Sequence, residues 1–181
     1  EKNTGVGTGV LAALTSGDEN TVVGYNAGTA NTTGTLNVAL GAYALDANTT
    51  AVQNTAIGGQ ALSANSTGAT NVAVGYNALC SNTTASNNVA IGSTTMRANT
   101  TGCLNTGVGV GALLGNTTGC QNTAIGAVAM EDNTTGDNNT SVGFQALCSN
   151  TTADNNTAVG KDALLLNTTG TDNTALGCGA L

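Results

Sequence analysis

The chain is 181 residues long and carries ten acidic and three basic side chains, so its net charge at neutral pH is −7. The basic residues are few and scattered, which excludes the clustered positive surface that nucleic-acid phosphates require. The absence of histidine excludes Ser–His and Cys–His nucleophiles, and no run of about 18 apolar residues is available to span a membrane. We therefore predict a protein that is not an enzyme, binds no nucleic acid and does not insert into membranes.

A period of seventeen residues runs through the whole chain without an insertion or a deletion. Counted from Asn3, position 1 is Asn and position 5 is Gly in all eleven repeats. The consensus is N-T-A-[VI]-G-x-x-A-L-x-x-N-T-T-G-x-x. The period predicts a single repeat domain, residues 1–181, with ten complete repeats from Asn3 and a partial repeat at 173–181.

Positions 1–5 of each repeat are predicted to form a short strand, because "NTAIG" alternates as strands do. Seventeen residues are too few for a pair of helices, so one repeat makes one coil and the predicted fold class is an all-β parallel β-solenoid. We expect the side chain at position 4 to point into the coil together with Leu at position 9, and Ala at positions 3 and 8 to face the opposite side. Gly at position 5 fits a turn that needs positive φ or a close approach of backbones.

The asparagines at position 1 are the main candidate structural residues. Because coils stack about 4.8 Å apart, side-chain amides at one position come to lie over one another and pair as ladders. The predicted ladder consists of Asn3, Asn20, Asn37, Asn54, Asn71, Asn88, Asn105, Asn122, Asn139, Asn156 and Asn173.

Positions 12–15 are predicted to form a second corner, with the sequence NTT followed by Gly or Ala in eight of ten repeats. Their Thr residues suit β geometry and can satisfy backbone groups at a turn. The NTT triplets are also formal N-glycosylation sequons, but their strict spacing favours structural columns. Positions 6, 7, 10, 11, 16 and 17 vary and are expected to lie in exposed turns.

A single thin coil buries little apolar surface against the entropy of ordering seventeen residues. We therefore expect the chain to associate with itself, as a parallel homotrimer packed through the small Ala residues at positions 3 and 8. The chain begins at position 16 of a repeat and stops at position 9. This predicts either a piece of a longer fibre or subunits that stack end to end into a polymer.

The repeat resembles those of bacterial surface proteins and phage tail-fibre-like proteins. It is also similar to the repeat in the β-roll heads of trimeric autotransporter adhesins, on the segments "NTAIGGQAL" at 54–62, "NVAVGYNAL" at 71–79 and "NTAVGKDAL" at 156–164. The resemblance implies a left-handed roll assembled as a trimer and an extracellular location, on a cell surface or a virion. The seventeen-residue period departs from that of the adhesins, so the resemblance does not fix the cross-section of the coil. A bacterial origin and a phage origin are both compatible with it.

Two groups of side chains are candidate sites. Cys103 and Cys120 hold position 16 of adjacent coils, where the Cα spacing of about 5 Å permits a disulfide. Asp137 and Asp154 hold the same position further along, and a Ca²⁺ ion would relieve their repulsion. A solvated turn is the preferred interpretation of this acidic pair, so we predict no cofactor.

Two functions of different classes fit the repeat. The first is structural: a rigid shaft or head of an extracellular fibre, with receptor or glycan contacts through the variable turns. The second is an ice-binding solenoid, in which the NTT corner forms a flat polar face with Asn116 over Asn133 and Thr118 over Thr135. A secreted amyloid is a third reading, which differs in having unbounded strand stacking.

Overall fold

The computed structural model describes residues 2–181, which form eleven short strands and no helix. Each strand covers positions 2–4 of one repeat and pairs in parallel with the strands of the preceding and following repeats. Residues seventeen apart are partners, as in the pairing of Val74 with Ile91. The predicted β-solenoid with one coil per repeat is confirmed. The strands are β1 (Thr4–Val6), β2 (Thr21–Val23), β3 (Val38–Leu40), β4 (Thr55–Ile57), β5 (Val72–Val74), β6 (Val89–Ile91), β7 (Thr106–Val108), β8 (Thr123–Ile125), β9 (Thr140–Val142), β10 (Thr157–Val159) and β11 (Thr174–Leu176).

Backbone hydrogen bonds between coils continue through the turns as well as along the strands. The Leu45 N–H at position 9 donates to the Ala61 carbonyl of the next coil at 3.0 Å, and the Thr32 N–H at position 13 donates to the Thr49 carbonyl at 2.9 Å. Each coil is thus hydrogen-bonded to its neighbours around most of its circumference. An inserted residue would leave buried N–H and C=O groups without partners, which explains why the period tolerates no insertion.

The interior of the coil is narrow and is filled from six positions. Positions 3, 8 and 9 form the apolar part, where alanines face a column of Leu and Met side chains. Positions 1 and 12 bring asparagines into the interior, and position 15 is Gly or Ala. Leu45, Leu62, Leu79, Met96, Leu113, Met130 and Leu147 are among the largest fully buried side chains.

The expectation that position 4 points inward is wrong. Ala56, at position 3 of β4, is fully buried, whereas its neighbour Ile57 at position 4 is 38% exposed. Consecutive strand residues point to opposite faces, and position 3, which faces the interior, is Gly, Ala or Ser in ten of the eleven coils. A Cβ added to Gly107 would lie 2.8 Å from Thr95 Cγ2 and 3.0 Å from Met96 Cε. The alanines at positions 3 and 8 therefore lie inside the coil and offer no outer surface for another chain.

Gly at position 5 is required both by its dihedral angle and by the spacing of the coils. Gly75 has φ 141°, and a Cβ added there would lie 2.4 Å from the Gly92 carbonyl oxygen of the next coil. The left-handed region and the direct stacking of one backbone on another both exclude a side chain. This agrees with the role predicted for the invariant glycine.

Three further positions of the coil have positive φ although most carry side chains. Position 9 is held near φ 50°, as in Leu62 (52°), and position 17 near 60°, as in Leu104 (59°) and Asn87 (62°). Position 7 behaves in the same way. An L residue in this region costs roughly 1 kcal/mol or more, and asparagine tolerates it best after glycine. The hydrogen bonds between coils hold these residues in place.

Replacing Leu104 by Asn should stabilise the protein by about 0.5–1 kcal/mol. Leu104 is 52% exposed, so little packing is lost, and Asn occupies the same position in Asn87, Asn138 and Asn155. The measurement is the midpoint of urea or thermal unfolding. Leu166→Asn serves as the control, because Leu166 is also exposed but lies outside the left-handed region. Equal effects of the two substitutions would contradict the assigned strain.

Candidate functional site

The outer face of the sheet is a continuous surface without a charged residue. Position 2 is Thr or Val and position 4 is Val, Ile or Leu in every strand. At position 4, Leu40, Ile57, Ile91 and Ile125 are 38–42% exposed. We call these two columns, positions 2 and 4 of β1 to β11, the strand face. With strands about 4.8 Å apart, the strand face is roughly 50 Å long.

Aromatic side chains flank the strand face at position 6. Tyr25, Tyr76 and Phe144 are each about half exposed there. The ring of Tyr25 meets that of Tyr43, at position 7 of the next coil, edge to face with centroids 5.4 Å apart. Exposed aromatic residues beside an apolar surface are typical of regions that are covered by a partner.

Asparagines at position 1 form a column of hydrogen bonds along the solenoid. The backbone N–H of Asn71 donates to Asn54 Oδ1 at 3.0 Å, and its side-chain Nδ2 donates to the same oxygen at 3.2 Å. The second Nδ2 proton reaches the Ala85 carbonyl, at position 15 of the same coil, at 2.9 Å. The N–H to Oδ1 bond is present at each position-1 asparagine from Asn20 to Asn173. This column contains all eleven residues of the predicted ladder.

A second asparagine column lies opposite, at position 12. Asn82 Nδ2 donates to Asn65 Oδ1 at 2.8 Å and to the Ala85 carbonyl at 3.0 Å. Asn71 and Asn82 therefore converge on one carbonyl oxygen from two sides of the coil. The column continues to Asn150, whose Oδ1 has no partner. The second to ninth coils are each closed inside by this convergence at position 15, and the small residues there leave room for it. The first coil has Leu14 at position 12, and in the tenth coil Asn156 Nδ2 donates to the Asp154 carbonyl instead.

The expectation that the NTT corner forms an outer polar face for ice binding is wrong. Asn116 and Asn133 are fully buried, so they do not belong to an outer face. The side chains at position 14, including Thr118 and Thr135, are exposed, whereas those at position 13 are half-buried except in the first and tenth coils. At position 13 the Thr117 Oγ1 donates to the Thr134 carbonyl at 2.9 Å. Eight of the nine asparagines at position 12 are buried, and the ninth, Asn167, is half-buried.

The two cysteines at position 16 are brought into contact. The Sγ atoms of Cys103 and Cys120 lie 3.1 Å apart, and both residues are free thiols. The hydrogen bond between the two thiols, followed by burial, raises the pKa of Cys103. The other three cysteines have no thiol neighbour.

The acidic residues at position 16 act as acceptors for backbone donors. Asp137 Oδ1 accepts the Cys120 N–H at 2.6 Å, and Asp154 Oδ1 accepts the Asp137 N–H at 2.7 Å. Within residues 2–181 no three His, Cys, Asp or Glu side chains are placed to hold a metal ion. The Ca²⁺ alternative for Asp137 and Asp154 therefore gains no third ligand from the described part of the chain.

The variable turn at positions 10 and 11 carries a cavity and a partly buried carboxyl group. A cavity of about 310 Å³ opens to the surface between Ser81, Arg97, Ala98, Leu114 and Gly115. Elsewhere in this turn Asp46 is partly buried and its Oδ1 lacks a partner, and this burial raises the pKa of the carboxyl group.

Comparison with family models, curated proteins and solved structures finds no match to this chain. No described residue belongs to a helix long and apolar enough to cross a membrane.

Replacing Asn116 by Ala should destabilise the protein by about 2–4 kcal/mol. The substitution leaves Asn99 Oδ1 without the bond at 2.9 Å and Asn133 Nδ2 without the bond at 2.8 Å, both inside the coil. Chemical unfolding followed by circular dichroism measures the loss. Thr118→Ala, two residues away at an exposed site, should change stability by less than about 0.5 kcal/mol. A comparable loss in both variants would remove the special role of the buried column.

Proposed function

We propose that the chain is a structural module of an extracellular fibre, in which parallel copies pack together through the strand face. The observation that carries the proposal is a surface that runs the length of the solenoid without a single charge and contains an unbroken column of Val, Ile and Leu at position 4. Its two columns cover on the order of 500 Å², and an exposed aliphatic column of this length is typical of an interaction site. No enzymatic role is proposed.

The surface complements a second copy of itself. It repeats at the coil spacing in every copy, so parallel chains can align their Val, Ile and Leu side chains along the whole rod. The charged residues that give the net charge of −7 lie in turns outside the strand face, so the negative charges of two copies are not brought together at the contact. Association would bury the β-branched side chains that the narrow coil leaves outside. A closed homotrimer agrees with the resemblance to the adhesin heads and replaces the contact through the alanines that the sequence suggested.

The fibre role also rests on rigidity. Hydrogen bonds join each coil to the next around its circumference, and two columns of buried amides run beside them. A rod of this kind resists bending and proteolysis because few backbone groups are free to open. The variable turns would then present contacts to a receptor or a glycan. Immunogold labelling with an antibody raised against this chain tests the location, and labelling inside cells only would contradict it.

Placing a charge on the strand face should dissociate the assembly. In analytical ultracentrifugation the wild-type chain is expected to have close to three times its monomer mass of 17.4 kDa. The Ile91→Lys variant is expected to have the monomer mass, and its circular dichroism spectrum should be unchanged. Burying an unpaired ammonium at the contact costs several kcal/mol. Thr101→Lys adds the same charge at an exposed corner and should leave the mass unchanged. A monomeric wild type at micromolar concentration would overturn the assembly.

Ice binding is a second candidate, now on the strand face rather than on the NTT corner. The favouring observation is that position 2 is Thr in eight of eleven strands and Val in three, beside an aliphatic column. The array of hydroxyl and methyl groups repeats at the strand spacing along the rod and at two residues across it. Such a flat, rigid array can order the adjacent water layer. The same surface cannot serve both roles at once.

The ice-binding candidate predicts thermal hysteresis from a monomeric wild-type chain at micromolar concentration. Thr123→Lys in the middle of the array should reduce the hysteresis at least several-fold, whereas Thr101→Lys should leave it intact. An oligomer without hysteresis supports the fibre module and excludes this candidate.

A further inference from the structure

The strongest unassigned chemistry lies at the boundary between the sixth and seventh coils. Cys103 and Cys120 occupy the same position of neighbouring coils, and their sulfur atoms are 3.1 Å apart. The backbone N–H of Cys103 also donates to Cys120 Sγ at 3.0 Å, which fixes the orientation of the second thiol. Both residues are half-buried, so reagents in solution can reach them.

The other three cysteines have no thiol within reach in the same chain. Cys80 and Cys148 share position 10 but are four coils apart, about 19 Å along the axis. The nearest polar atoms recorded for their sulfurs are oxygens: the Arg97 carbonyl lies 3.8 Å from Cys80 Sγ, and Glu131 Oε2 lies 3.9 Å from Cys148 Sγ. Cys178 lies alone at position 6 of the last coil. Among the five thiols only one pair can join within a chain.

We propose that Cys103 and Cys120 are a redox modification site that closes into a disulfide and staples the two coils together. The reaction partner is a small-molecule or protein disulfide. One cysteine thiolate attacks a sulfur of that disulfide and releases one thiol, and the second cysteine thiolate then attacks the mixed disulfide and releases the other. Two cysteine protons and two electrons leave the chain, one S–S bond forms in it, and the oxidant is reduced to two thiols.

The fold prepares the two residues for this step. Stacked Cα atoms lie about 4.8 Å apart, inside the range that a disulfide spans. The sulfurs must approach by about 1 Å to reach bonding distance, and the hydrogen bonds between the coils hold the two backbones at the required spacing meanwhile. Because the pKa of Cys103 is raised, its thiolate is scarce at neutral pH, and the rate of closure should increase as the pH rises.

The staple encloses the coil that loses most entropy on folding. Residues 104–119 contain five glycines, Gly107, Gly109, Gly111, Gly115 and Gly119, and no other coil contains as many. Glycine loses more backbone freedom on folding than any other residue. A disulfide restricts the unfolded state of the loop that it closes, so it acts on the coil whose backbone has the most freedom to lose on folding.

Thiol counting on the purified, folded chain tests the site. After treatment with oxidised glutathione and removal of the excess, the denatured protein should show three free thiols instead of five, and its mass should fall by two hydrogens. Cys103→Ser and Cys120→Ser should each retain four thiols, whereas Cys80→Ser should fall from four to two. Five remaining thiols in the wild type, stable glutathione adducts, or a bond mapped between other cysteines would overturn the proposal.

A second measurement tests the staple itself. In single-molecule force spectroscopy, with the force applied to the two ends of the chain, the fully unfolded oxidised chain should have a contour length about 60 Å shorter than that of the reduced chain. The disulfide prevents seventeen residues from being extended. The thermal midpoint should rise by roughly 5–10 °C on oxidation. Cys103→Ser should show neither change. Equal contour lengths in the two redox states would refute the staple, and they would leave association through the strand face untouched.

Discussion

The convergence of two asparagine amides on one carbonyl oxygen is the interaction on which this solenoid depends. In the fifth coil Asn71 and Asn82 both donate to the Ala85 carbonyl, while each is also bonded to the asparagine of the preceding coil. A buried amide that lacked these partners would cost about 1–3 kcal/mol. The bonds form only when positions 1, 12 and 15 recur at fixed separations. The strict period of seventeen residues is therefore the condition for satisfying polar groups in the interior, and the apolar residues pack into the space that remains.

That space is small, and the sequence shows compensation within it. Where position 8 carries the larger Val10 or Thr95, the facing residue at position 3 is Gly5 or Gly107, with a hypothetical Cβ only 2.8–3.0 Å away. Where position 3 carries Val22, position 9 of the same coil is reduced to Gly28. Interior volume is thus conserved by pairs of exceptions. A narrow interior has a direct consequence for the outside, since the Val, Ile and Leu residues at position 4 cannot be accommodated within it and form the strand face.

The repeat alone predicts the parallel stacking, the pairing of residues seventeen apart, the close approach at Gly75 and the nearness of Cys103 to Cys120, because all of these follow from the period. It does not predict which strand face points inward. Alternation places Ala56 and Ile57 on opposite sides, and the usual preference for burying the larger apolar residue then selects the wrong one. The signal that identifies position 3 is the compensation between Gly5 and Val10, which has meaning only once position 8 is known to face position 3. The inward direction of Asn116 was hidden for a similar reason, since NTT at a corner is equally compatible with an outer and an inner amide.

Position 16 shows how chemical variety is compatible with this uniform interior. Its N–H groups point along the axis, and in several coils the side chain of the following coil accepts them: Ser86 Oγ from Ala69, Cys120 Sγ from Cys103, and Asp137 Oδ1 from Cys120. Hydrogen bonds from the N–H groups of Lys2 and Glu19 likewise lower the pKa of Asp18 in this column. Hydroxyl, thiol and carboxylate groups therefore serve one structural purpose here, and the stacked acids are explained by backbone donors without a cation. Because the column needs only an acceptor, two successive thiols can occupy it without a change of backbone, and their contact follows from the same stacking that aligns the asparagines.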